Sequence, residues 1–160
     1  MTRFVNAALI TIGIVFACPL LLMAQTQPSA AGSPRVKACS LVPKEEVKRY
    51  LPWESHFGHL PTEEEPIGTS GSSCGYPSVF VQILPFSQTL IDSASKKGGL
   101  ETISGIGNEA YFYNNLNGYA ELYVKVGKRL LTLQANVQGN IESVKPGVLR
   151  LAKVFVEKLN

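Results

Sequence analysis

His56 and His59 stand three residues apart, with Glu63, Glu64 and Glu65 close behind. Two imidazoles and a carboxylate at such spacing are donors that would suit zinc. Gly58 falls between the two histidines, and the stretch around them carries no helical or strand pattern to hold them rigid. A site on a loose loop is poorly preorganised, so the leading reading is a solvated acidic loop with two surface histidines and no metal. Ser70, Ser72 and Ser73 lie among glycines just downstream. Either histidine could serve one of them as a base, but position 72 is Ser, so the G-x-S-x-G elbow of a serine hydrolase is absent. Gly105-Ile106-Gly107-Asn108-Glu109-Ala110 matches G-x-G-x-x-A, which binds a pyrophosphate only when a helix follows. Tyr111-Phe112-Tyr113 follows instead and reads as strand, so a tight glycine turn is expected and no nucleotide cofactor.

Binding rather than bond-breaking chemistry is suggested by Phe112, Tyr119, Tyr123 and Lys125. Whether these share a surface depends on how the strands pair. Gly127-Lys128 sits between two alternating runs, and Gly at the first central position suits a two-residue type II′ hairpin. That turn pairs Val126 with Arg129, Val124 with Leu131, Leu122 with Leu133 and Ala120 with Ala135, giving an almost wholly apolar face. The other face pairs Tyr123 with Thr132 and Glu121 with Gln134. A slip of one residue would destroy this segregation. Upstream, Asn117-Gly118 reads as a type I′ turn, which would place Tyr111 and Tyr113 on the apolar face and Phe112 opposite Tyr123 on the outer one. On that register Phe112, Tyr119 and Tyr123, flanked by Lys125, form an aromatic patch for an unknown protein or a small amphipathic ligand. Ordinary strand propensity under another covering element explains the same residues.

The remaining elements complete an α+β domain: an antiparallel sheet, built as a meander of hairpins, with helices packed on one face. Pro43 to Leu51 reads as a short helix, acidic in its first turn and basic in its last, stopped by Pro52. Trp53 to Ser73 reads as a long irregular loop, which in a compact domain is mobile or functional. Ser78 to Leu84 alternates as a strand, and Ser87 to about Lys97 reads as a helix ended by Gly98-Gly99. Val144 to Leu159 is amphipathic, and its stripe of Val148, Leu151, Ala152, Phe155 and Leu159 should cover the apolar face of the meander.

The chain's start bears on where it works. Arg3 precedes an apolar run from Phe4 to Ala17, extended to Ala24, and polar Gln25-Thr26-Gln27 follows. That is the pattern of a signal peptide over residues 1–24, cleaved after Ala24. Residues 25–37 would form a flexible leader and residues 38–160 a single domain. Retained, Phe4 to Ala24 is long enough to anchor in a membrane. Val15-Phe16-Ala17-Cys18 loosely matches a lipidation box, although Phe16 is bulky. Cleavage leaves two of the three cysteines, Cys39 and Cys74. An even pair in an exported domain is most simply a disulfide, the alternative being two buried thiols. No Asn-x-Ser/Thr occurs, which favours a bacterial periplasmic or extracellular setting. The formal net charge is +3, or +2 without Arg3, and the basic residues are scattered, so nucleic acid is not an expected partner.

Cys39-Ser40-Leu41 ahead of a helix with Glu46-Val47, then Cys74-Gly75-Tyr76, then Gly105 to Tyr111, then a hairpin and a helix with Leu151-Ala152, form a recognisable series. It resembles the small exported "hypothetical" proteins and lipoproteins of bacteria that carry a CSLL…EV…C-Y…GxGdxA pattern. The resemblance spans nearly the whole mature domain and implies an α+β fold with the two cysteines bridged. It supplies no catalytic residue. The chain departs from the pattern at Val42-Pro43, where Thr or Ser usually caps the helix, and at Cys18, where the box is poor. The expected function is a non-enzymatic exported binding or sensory module. The alternatives are a secreted metal-dependent or hydrolytic enzyme using the 53–74 loop, and a proteinaceous inhibitor of a secreted enzyme.

Overall fold

The computed structural model describes residues 35–52, 62–96, 98–115, 118–137 and 140–160. The expectations placed on residues 1–34, and those on His56 and His59, lie outside the described residues. Short helices α1 (Ala38–Leu41) and α2 (Lys44–Tyr50) come first, then strands β1 (Glu64–Ile67), β2 (Gly71–Gly75) and β3 (Val79–Pro85). Helix α3 (Gln88–Ser95) follows, then β4 (Leu100–Ile103), β5 (Glu109–Asn115), β6 (Tyr119–Val126), β7 (Arg129–Asn136) and helix α4 (Ile141–Leu159). All strand pairs are antiparallel, in the order β1-β2-β3-β7-β6-β5-β4. The fold is α+β. Among the described residues no helix is long and apolar enough to cross a membrane.

The β6–β7 hairpin has the expected register, from Val126 opposite Arg129 to Tyr119 opposite Asn136. Its apolar face joins Val79, Val81 and Ile83 of β3 in one buried core. Helix α4 packs on β6 and β7 and contributes Val148, Leu151, Ala152 and Phe155, all fully buried. It starts at Ile141, three residues before the apolar periodicity begins, because Asn140 caps it by accepting from the Glu142 amide at 3.0 Å. Helix α1 packs on β2 and β3, and α2 on α4, so three helices share this face.

The β5–β6 pair differs from expectation by one residue, and the shift moves Phe112. Asn115 pairs with Tyr119, which leaves three residues between the strands instead of two. A three-residue loop ends in a left-handed residue, and Gly118 takes that position with φ +87°. The extra residue reverses every side chain of β5. Phe112 therefore pairs with Leu122 on the core face and is 4 % exposed. It takes no part in an outer aromatic patch. Tyr111 pairs with Tyr123 and Tyr113 with Glu121, on the outer face.

The second half of the expected 53–73 loop is the β1–β2 hairpin. Its Gly, Ser and Pro residues have low strand propensity and hid it from pattern reading. Tertiary hydrogen bonds compensate: buried Ser72 donates its hydroxyl to the Val36 carbonyl at 2.6 Å and accepts from the Ala38 amide at 3.1 Å. Arg35 donates to the Gly68 carbonyl at 2.8 Å, so domain contacts begin at least three residues before Ala38. Cys39 and Cys74 form a disulfide, with Cα atoms 5.1 Å apart, tying α1 to β2. Buried Tyr76 donates to the Val42 carbonyl at 2.8 Å and packs edge-on against Phe155.

Candidate functional site

The sheet's outer face is assembled from alternate positions of β3, β7, β6 and β5. Register places Phe80, Gln82 and Leu84 beside Gln134, Thr132 and Leu130, and these beside Glu121, Tyr123 and Lys125. Tyr111, Tyr113 and Glu109 come next on β5. Tyr119 lies on the same face, one alternate position before Glu121. Three of the four sequence-selected residues thus lie together here: Tyr119, Tyr123 and Lys125. Phe112 lies on the opposite face, and half-buried Tyr111 takes up the aromatic role it was expected to fill, whereas Tyr113 shares the outer face but is buried. Only the loop length before Tyr119 could have revealed that exchange, and a three-residue reading of it would have sufficed.

The tyrosines are tied to carboxylates two residues earlier on their own strands, since i and i−2 point to the same face. Tyr123 donates to Glu121 at 2.5 Å and Tyr111 to Glu109 at 3.1 Å. Lys125, directly opposite Glu109, pairs with it at 2.6 Å and sits 4.6 Å from the centre of the Phe86 ring. Burial, the bond to Glu121 and the neighbouring charge all push the Tyr123 phenol well above the usual tyrosine range. The bond to Glu109 raises Tyr111 in the same way. Hydrogen bonds from Lys125 and Tyr111 hold the Glu109 carboxyl below the usual carboxylate range. These shifts keep the phenols protonated, so at neutral pH they act as donors and ring surfaces and not as bases.

Beside Tyr123 the face is hollowed into a cavity of about 300 Å³. Phe80, Leu84 and Leu90 give it an apolar wall, and Gln82, Thr132 and Gln134 a polar one, with Glu121 and Tyr123 at one side. Leu90 belongs to α3, which places that helix at the outer face, opposite the other three. It is 42 % exposed and is the exposed large hydrophobic among the described residues. Thr132 donates to Gln82 at 3.3 Å, and Gln134 to Glu121 at 3.5 Å. The cavity had no signal in the sequence, because α3 and the adjacent β3 meet there with β6 and β7, strands much later in the chain.

The other chemical candidates resolve differently. The Gly105–Ala110 turn runs into β5 and not into a helix. A Cβ on Gly107 would lie 2.6 Å from the Lys125 carbonyl oxygen, so glycine is needed for close approach to β6. Asn108 fastens the turn, donating its amide to the Lys125 carbonyl at 2.8 Å and accepting from the Gly127 amide at 2.7 Å. Ser72 and Ser73 are buried within β2, and Ser70 lies in the β1–β2 turn. Among the described residues no cluster of three or more His, Cys, Asp or Glu side chains is placed to hold a metal. No family model, curated protein or solved structure matches this chain.

Proposed function

We propose that this chain is an exported, non-enzymatic binding module whose ligand, a small amphipathic molecule, seats in the outer-face cavity under α3. One observation carries the reading: exposed Leu90 lines a cavity with one apolar wall and one amide- and hydroxyl-bearing wall. Small-molecule sites have that division, apolar lining with a few placed polar groups, and 300 Å³ is the small end of their range. Tyr111, Tyr119 and Tyr123 extend the same surface with rings that bury much area at little cost in side-chain freedom. The Cys39–Cys74 disulfide supports action outside the reducing cytosol, since such bridges persist in oxidising compartments.

Nile red, an uncharged dye whose emission reports apolar surroundings, tests the site. Titrated into the oxidised protein, it should brighten and shift the NMR signals of Phe80, Gln82, Thr132 and Gln134. Leu90→Asp changes a partly exposed side chain, so the fold should persist while both responses disappear. Undiminished binding by that variant, or shifts confined to other surfaces, would remove the cavity from consideration.

A further inference from the structure

We infer, building on the binding-module reading, that the cavity takes a small N-acyl compound: an amide group hydrogen-bonded between Gln82 and Gln134, with its acyl chain along Phe80, Leu84 and Leu90. Each of the two glutamines spends one end of its carboxamide on a neighbour. Gln82 accepts from Thr132 through its oxygen, and Gln134 donates to Glu121 through its nitrogen. Beyond these bonds the NH2 of Gln82 and the carbonyl oxygen of Gln134 make no hydrogen bond to another described residue, and both side chains line the cavity. The lining therefore includes one donor and one acceptor from neighbouring strands.

A secondary amide is the complement of that pair, because it carries one acceptor and one donor pointing in opposite directions. The spacing agrees. Gln82 lies opposite Thr132 and Gln134 opposite Phe80, so the two glutamines are diagonal neighbours on adjacent strands. The backbones of such positions are about 7–8 Å apart, close enough for one small ligand group to meet both side chains. An ester has no N–H and would leave the Gln134 carbonyl unanswered and desolvated. The apolar wall fixes the orientation, since an alkyl chain leaving the amide's carbonyl carbon can lie against Leu84 and exposed Leu90.

The test uses N-propylhexanamide, its ester isostere propyl hexanoate, in which oxygen replaces the N–H, and N-propylacetamide, which keeps the amide and lacks the chain. Titration of the oxidised protein as recovered from the expressing cell should shift the side-chain NH2 signals of Gln82. The hexanoyl amide should bind roughly 2- to 10-fold more tightly than the ester, the value of one hydrogen bond to a neutral group. The acetyl amide should bind more weakly still. Gln82→Met and Gln134→Met keep the side-chain length: Gln134→Met should bring amide and ester to equal affinity, and Gln82→Met should weaken both alike, with the circular dichroism spectrum unchanged. Equal affinity of amide and ester for the unaltered protein overturns the inference. So does binding of Nile red at the cavity with no binding of the hexanoyl amide. In both cases the amphipathic-ligand reading stands, whereas loss of Nile red binding as well would remove both.

Discussion

Replacing Phe112 and Tyr111 by alanine, one at a time, separates the two registers that β5 could take against β6. Phe112 is 4 % exposed, faces Leu122, and carries the Lys145 ammonium 5.1 Å from its ring centre. A phenylalanine side chain buries about 150–250 Å², worth roughly 4–6 kcal/mol at 25 cal/mol/Å² against an extended chain. Its neighbours Ala110 and Leu122 are pinned in paired strands and cannot collapse into the gap, so Phe112→Ala should cost about 3–5 kcal/mol. Tyr111 is only partly buried and forfeits one hydrogen bond to Glu109, so Tyr111→Ala should cost about 1 kcal/mol. Urea unfolding followed by circular dichroism measures both, the shift in midpoint multiplied by a common m-value giving the difference. A two-residue turn at Asn117-Gly118 would put Tyr111 inward and Phe112 outward and reverse the ranking. Finding Tyr111→Ala the more damaging change would refute the register, and with it the membership of the outer face.

Two further outcomes follow from the same contacts. Reducing the Cys39–Cys74 bridge frees a loop of 35 residues, worth about 4 kcal/mol in the chain-entropy model; urea midpoints with and without a phosphine reductant measure it, and an unchanged midpoint would contradict the bridge's stabilising role. Glu109 has its carboxyl held below the ordinary value of 4.5, so its stabilising contribution is fully present above that pH and is lost as pH falls through the lowered folded-state value. Stability profiles of the parent and Glu109→Gln should therefore converge at acid pH. In the same variant the Tyr111 phenol should ionise closer to 10 in an ultraviolet titration, and an unmoved Tyr111 would dissolve the proposed pair.

Local patterning settled more of this fold than of its site. The β6–β7 hairpin was legible because Gly127-Lys128 admits one short turn and every alternate residue agrees with it, which leaves a single register that buries the apolar set. The α4 stripe was legible for the same reason, at a period of 3.6. Cys39 and Cys74 were legible as a pair because only two cysteines follow the apolar N-terminal run, one bridge satisfying both. The β1–β2 hairpin was not, since buried Ser72 is satisfied by Val36 and Ala38, partners distant in the chain. Phe112 was misplaced because one residue of loop length outweighs every side-chain preference in β5: Tyr and Phe are equally at home on either face of a strand. The cavity lay beyond sequence reading altogether. Periodicity tells which side of an element is apolar, but the apolar residues of α3 are few, and which sheet face it would lie against depended on β3 pairing with β7 across the intervening strands. Composition and period therefore determined the β6–β7 hairpin, the α4 stripe and the face they bury, because burial of apolar surface is a local, repeating demand. Tertiary closure alone decided which polar groups gathered around the outer-face cavity.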